Sequence, residues 1–315
     1  MKKIFLSKHN IALVKECIFL AEVISGKYDV GAQLTRETIA RCRNTCEIHI
    51  YNTSIATPWY LFLARIYGVR TVFYCHEPNK LDIFKFYRGF TLIKHFLIRY
   101  INFLSIILCN ECVCLSQFGL QRALKYPFMK SYSSKLRVQN IKLPKMNINS
   151  SIEKRFNILV FGQLNGTKQP YWIKDFLLHS KVLGRGIKLN VVTASKEFLF
   201  LEKLETEYSN IFSISRFDNL TDEMISFYLS NSFASIHLHH CVTQSGAFVE
   251  SLRHGVPSVC LNTEGFRQFY EAEIMELLDE YSYSNLDAAI KNLFYNQIDR
   301  REKCVRLFNR LFTNG

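Results

Sequence analysis

Apolar and polar positions along the second half of the chain alternate in a regular order. Short runs rich in β-branched and aromatic residues, Phe156–Phe161, Ile187–Thr193, Ile211–Ser215, Phe233–Leu238 and Pro257–Leu261, read as strands. Between and after them, residues 170–183, 196–208, 221–229, 246–254 and 266–280 carry helical spacing. Strand and helix in strict alternation predict a parallel sheet covered by helices on both faces. The first half repeats the theme less regularly. Its strands are Lys3–Ser7, Glu47–Asn52, Arg70–Cys75 and Glu111–Leu115, and a helix from Thr57 to Tyr67 closes at Gly68. Residues 140–151, with Pro144 and several Asn and Ser, read as the linker. The expected organisation is two Rossmann-like domains, 1–145 and 152–315, facing a cleft, a length that suits 315 residues.

The region 91–108 has its own pattern. Thr91, Lys94, His95, Arg99, Asn102 and Ser105 fall on one helical stripe, and Phe, Leu and Ile fill the rest. The stripe interrupts the apolar run too often for a membrane span, which needs about 20 predominantly apolar residues. The expectation is a helix buried along one side, with basic neighbours able to touch a bilayer surface.

Charge sharpens this picture. Residues 1–150 hold 22 Lys and Arg against 8 Asp and Glu, whereas residues 151–315 hold 18 against 19. The whole excess of positive charge therefore lies in the first half. That asymmetry suits an anionic membrane, an anionic acceptor or nucleic acid. The apolar stretch after Met1 is too short for a secretory signal, so the ten cysteines are expected as reduced, mostly buried thiols of a cytosolic protein. Cys109, Cys112 and Cys114 form a C-x2-C-x-C run, but in apolar surroundings and with no evident fourth ligand. No metal site is expected.

Candidate chemistry lies at strand ends. In residues 243–265, Ser245 can cap a helix that begins at Gly246, Gly255 fits its C-terminus, and Pro257 blocks continuation. An open helix N-terminus is an anion site. Glu250 stacks one turn above Gly246, so backbone N–H groups on a diphosphate and a carboxylate on ribose hydroxyls are one reading. An ordinary helix–strand unit with a glycine cap is the other. The strand 156–161 leads into Gly162, Gln163 and, after a turn, Lys168, which read as a diphosphate cradle or as a polar turn. The strand 70–75 ends in His76-Glu77-Pro78, placing an acid–base pair or a hydrogen-bonded turn there. His239 and His240 follow another strand but face opposite sides, and no Asp-x-Asp occurs in the chain.

Together these segments resemble the GT-B glycosyltransferases, and within them the bacterial polysaccharide enzymes of the glycosyl transferases group 1 family. The resemblance covers the layout of nearly the whole chain and is specific in two places. Phe161-Gly162-Gln163 with Lys168 resembles the family's phosphate-binding segment. Gln244-Ser245-Gly246, Glu250, Gly255-Val256-Pro257 and the stretch Asn262 to Gly265, with Glu264, resemble its donor-nucleotide segment. His76-Glu77-Pro78 resembles its His-containing turn. Three positions depart from the pattern: Gln163 stands for the usual Arg, Val242 for the first Glu of a Glu-x7-Glu pair, and Ser7-Lys8-His9-Asn10 for a Gly-rich loop.

The resemblance implies transfer of a sugar from a nucleotide-diphosphate sugar to a hydroxyl, without metal or other cofactor. His76 and Glu77 would act on the acceptor. Gly162, Gln163, Lys168, Gln244, Ser245, Gly246, Glu250, Glu264 and Gly265 would hold the donor. It further implies a polyprenyl-diphosphate-linked oligosaccharide acceptor of O-antigen or lipopolysaccharide type. The protein would then be peripheral on the inner face of the cell membrane, with an anionic membrane surface as partner and no nucleic acid. The competing expectations are a degenerate GT-B scaffold, motivated by Gln163 and Val242, a sugar-nucleotide epimerase, and a basic nucleic-acid-binding protein.

Overall fold

The computed structural model describes residues 2–5, 35–43, 47–50, 54–75, 88–139, 143, 154–164, 168, 170–195, 198–218, 220–240, 242, 245–271 and 273–313. The chain divides into two compact units, the first running to Pro144 and taking in Phe312, the second running from Lys145 to Leu311.

Unit 1 is built on five parallel strands, β1 (Lys2–Phe5), β2 (Glu47–Ile50), β3 (Thr71–Cys75), β4 (Glu111–Cys114) and β5 (Leu136–Val138), arranged across the sheet in chain order. Every residue of β3 is buried, as expected of a central strand covered on both faces. Among the described residues its α-helices are α1 (Arg36–Arg41), α2 (Thr57–Ile66), α3 (Gly89–Leu108) and α4 (Gln117–Leu124). Gly68, at φ +68°, ends α2, and Val69 N–H returns to the Ala64 carbonyl at 2.8 Å. Ser116 caps α4 by accepting from Gly119 N–H. Cys75, Cys109, Cys112 and Cys114 are all buried free thiols, and thiol–thiol hydrogen bonds together with burial push the Cys112 thiol well above its ordinary range.

Helix α3 is buried mainly toward its C-terminal end. Its buried residues are Asn102, Ser105 and Ile106, while Thr91 and Lys94 of the polar stripe are exposed. Phe90, Ile93, Phe96, Leu97 and Tyr100 face outward, Phe90 with 82% of its surface exposed. The helix packs against α2, which exposes Trp59, Phe62 and Ile66. By length and composition alone α3 is long and apolar enough to cross a membrane, and 22% of its apolar window is buried.

Unit 2 contains β6 (Asn157–Phe161), β7 (Lys188–Thr193), β8 (Phe212–Arg216), β9 (Ser232–His237), β10 (Ser258–Leu261) and β11 (Met275–Leu278), all parallel, in the order β11-β10-β9-β6-β7-β8. Alternate residues of β6 go to opposite cores. Ile158 and Val160 join a cluster with Phe176, Leu189, Val191 and Phe233, while Leu159 and Phe161 join Val192, Leu229 and Val256. Both faces of the sheet are therefore covered by the helices α5 (Trp172–His179), α6 (Phe200–Glu207), α7 (Asp222–Ser230), α8 (Gly246–Arg253), α9 (Glu264–Arg267), α10 (Tyr283–Tyr295) and α11 (Gln297–Phe312). The expected helix over 266–280 is corrected. Only the short α9 forms there, and Met275–Leu278 pairs with β10 as the edge strand, burying Met275 and Leu278. Sheet pairing overrides the helical spacing of Phe266, Phe269 and Ile274.

Phe176 is completely enclosed in the larger cluster. Its replacement by Ala is expected to cost about 3–5 kcal/mol, measured as a lower urea midpoint with an unchanged slope.

Candidate active site

In unit 2 the strand order, counted from β6, is third, second, first, fourth, fifth, sixth, the doubly wound arrangement. Its order reverses between β6 and β9. The chain leaves their carboxyl ends toward opposite faces, which opens a crevice where ligands of such sheets bind.

The residues that follow β6 and precede α8 meet at this crevice. Gly162 directly follows β6 with φ +93°, a left-handed conformation that disfavours any side chain. Lys168 folds back so that its Nζ donates to the Phe161 carbonyl at 3.2 Å. A β-carbon placed on Gly162 would lie 3.4 Å from that Nζ and 4.0 Å from Cβ of Ala247 in the first turn of α8. Gly162, Lys168 and the helix N-terminus are therefore close neighbours. Ser245 caps α8, accepting from Phe248 N–H at 3.3 Å. This leaves the amides of Gly246 and Ala247, which have no intrahelical acceptor, at the helix's positive end. Lys168 keeps some exposure along its length, but its ammonium is enclosed, and that burial lowers its pKa to about 8.

Beneath the helix lies a polar network that the sequence reading did not anticipate. His237 ends β9 among Phe161, Phe248 and Phe266. Its Nε2 lies 3.0 Å from Ser235 Oγ and 3.2 Å from Ser251 Oγ. Ser251 donates to the Ala247 carbonyl, so the hydrogen bond with His237 has Nε2–H as donor. Burial first, and the nearby Lys168 charge second, push the His237 pKa down to about 3. The ring is neutral at physiological pH.

Glu250 is buried on α8, and its Oε2 pairs with Arg253 at 3.4 Å and with His254 at 3.8 Å. Its carboxylate thus sits beside the Arg253 guanidinium in the last turn of its own helix and the His254 ring at the cap. Gly265 is required sterically, because a β-carbon there would stand 1.9 Å from the Val242 carbonyl oxygen. Glu264 beside it is exposed, and so is Gln163. The hydroxyl of Thr263, next to these residues, is enclosed without a hydrogen-bond partner, a further residue missed by sequence reading. Gln244, His76 and Glu77 lie outside the described residues.

A cavity of about 350 Å³ lies at the carboxyl ends of β7 and β8, lined by Ser195, Leu199, Glu202, Arg216, Phe217 and Asp218. Ser195 Oγ donates to the Leu164 carbonyl at 2.7 Å, tying this cavity to the loop after β6. Arg216 donates to the Ser195 and Phe198 carbonyls and pairs with Glu202 at 3.0 Å. Phe198, one of these anchors, has a φ of +65°. Among the described residues, no group of three or more His, Cys, Asp or Glu side chains is arranged to hold a metal ion.

No protein-family model matches the chain, and no curated protein matches it in sequence. Solved structures do match. Anabaena Alr3699/HepE in complex with UDP-glucose superposes with a TM-score of 0.71 at 13% identity, over 99% of this chain and 96% of that one. A glycosyltransferase from Rickettsia africae gives 0.69 at 12%, over 99% and 94%. The pneumococcal O-GlcNAc transferase GtfA, with UDP and GlcNAc, gives 0.67 at 10%, over 88% of this chain and 56% of that one. The chain has the GT-B fold. Its second GT-B unit carries the crevice described above.

Substitution of Gly265 by Ala is expected to displace the Val242 turn and lower the melting temperature, by several degrees for the roughly 1–3 kcal/mol that overpacking costs. A thermal melt of the purified variant checks this.

Proposed function

We propose that the protein is a glycosyltransferase that moves a sugar from a nucleotide-diphosphate donor to an acceptor hydroxyl. The observation that carries this reading is the proximity of Gly162, Lys168 and the first turn of α8 at the switch point of a GT-B sheet. A cation and backbone N–H groups there meet the charge that develops on a departing diphosphate. The structural neighbours that hold UDP or UDP-glucose support the same reading.

In this reaction the acceptor oxygen attacks the anomeric carbon while the bond to the diphosphate breaks. The acceptor proton passes to a base, for which we propose His76, with Glu77 beside it. Lys168 and the amides of α8 stabilise the leaving diphosphate without a divalent metal. Glu250, beside Arg253 and His254, would meet a ribose hydroxyl of the donor. The 350 Å³ cavity beside Ser195 and Asp218 takes the base. Gln163, Gln244, Ser245, Glu264 and Gly265 complete the donor side, in the manner of the group 1 family.

For the acceptor we propose a lipid-linked oligosaccharide met at an anionic membrane surface, as in O-antigen synthesis, on the cytoplasmic side. Two features of unit 1 support this. Its net charge is strongly positive, and α3 exposes Phe90, Ile93, Phe96 and Leu97 while packing against α2, which exposes Trp59, Phe62 and Ile66. Exposed large apolar side chains beside positive charge are the arrangement a lipid surface rewards.

Two outcomes follow. UDP binding in EDTA should be tightest below pH 8 and weaken as pH rises through 8, because Lys168 contributes charge only while protonated. Binding above that pH must then take up protons, which calorimetry in buffers of different ionisation enthalpy measures. Lys168→Met should weaken binding about tenfold to a hundredfold at pH 7 and flatten the pH dependence; unchanged binding would remove Lys168 from the site. For the membrane, the protein should sediment with phosphatidylglycerol vesicles, less so in high salt. The double change Trp59→Ser and Phe90→Ser should lower that partition about tenfold or more while leaving UDP affinity unchanged.

A further inference from the structure

Unit 2 has a second cavity, of about 420 Å³, that the donor reading does not use. It lies by Ile187, at the amino end of β7, whereas the donor crevice lies at the carboxyl ends of the strands. The six residues of β7 separate the two levels by roughly 17 Å at about 3.3 Å per residue. A single donor molecule seated on Lys168 therefore has no reason to extend here.

One wall is the outer face of α10, where Ser284, Asp287, Ala288, Lys291 and Tyr295 recur at helical spacing. Ala288 contributes only a methyl group, which gives the groove depth. The other wall is the turn from Lys181 to Ile187. Gly184 and Gly186 hold φ values of +85° and +83°, so a left-handed residue on each side presents Arg185 at the tip. Asp287 fastens the two walls together, accepting from Ser180 Oγ and from Lys181 N–H, both at 2.6 Å. Each of its carboxylate oxygens is thus committed to the turn. Around it stand three cations, Lys181, Arg185 and Lys291, and two exposed phenols, Tyr283 and Tyr295.

We propose that this groove is a second saccharide site that binds an acidic sugar, such as a sugar phosphate. Lys181, Arg185 and Lys291 hold its anionic group, and a tyrosine ring covers its apolar C–H face. The excess of cations over a carboxylate already hydrogen-bonded selects for an anion. The aromatic rims and the volume, within the range of small-molecule pockets, select for a ring-bearing ligand over a bare ion. The assignment goes beyond the donor site and does not depend on it.

The test is calorimetric or NMR titration of the full chain with glucose 6-phosphate, glucose and inorganic phosphate. It is run on the natural protein, on Lys168→Ala, and on the double change Arg185→Glu and Lys291→Glu, whose positions are exposed and leave the core intact. Glucose 6-phosphate should bind the natural protein and Lys168→Ala equally. The double change should weaken it about tenfold or more, with the circular dichroism spectrum and UDP binding unchanged. Glucose alone should bind far more weakly. Loss in Lys168→Ala with retention in the double change would place the ligand in the donor crevice and overturn the proposal. Equal affinity for inorganic phosphate would reduce the groove to an adventitious ion only, and no binding at all would remove it.

Discussion

The handedness of parallel crossovers is the constraint on which unit 2 depends. Right-handed connections alone pack a helix back onto a right-twisted sheet. A chain that adds strands on one side of β6 and then on the other must therefore leave β6 and β9 toward opposite faces. The crevice is a by-product of that geometry before any residue is chosen for chemistry. What the sequence adds is small side chains where backbone must be reached, Gly162 and Gly246, and a lysine positioned to return to the Phe161 carbonyl. The polar network of Ser258, Ser235, His237 and Ser251 then fills the space under α8 without placing a charge there.

Much of this arrangement was legible in the residues. The cap at Ser245, the stop at Gly255 and Pro257, and the strand that follows each rest on local chemistry, and local chemistry is what sequence records. Gly162 at the end of β6, in a conformation that suits glycine, was legible for the same reason. Residues 266–280 were not, because Ile274, Met275 and Leu278 suit a helix face and an edge strand equally well, and the choice is made by the free edge of β10. His237 gave no warning either. Its role comes from Ser235 two residues away on the same strand and Ser251 on a helix, a meeting that only the folded sheet produces.

Helix α3 shows a different limit. Its two stripes were plain in the sequence, but how little of either is buried was not. Asn102 and Ser105 share the buried positions with Ile106, and Phe90, Ile93 and Phe96 are left to the outside. The two departures from the family pattern that can be located are less dramatic. Val242 is buried, with its carbonyl pressed toward Gly265, and Gln163 is exposed at the rim of the cradle.

The neutral His237 carries a consequence for life in acid. Folded, it takes up a proton only near pH 3, whereas in the unfolded chain an imidazole does so near its usual 6.5. Between those values the unfolded chain binds more protons, so the stability of unit 2 declines as the medium is acidified through that window. The proton has no comfortable place under α8, where Phe161, Phe248 and Phe266 surround the ring and the ammonium of Lys168 adds its own repulsion. The space beneath α8 is therefore one place where acid weakens the fold, and near neutral pH unit 2 keeps the margin that His237 contributes.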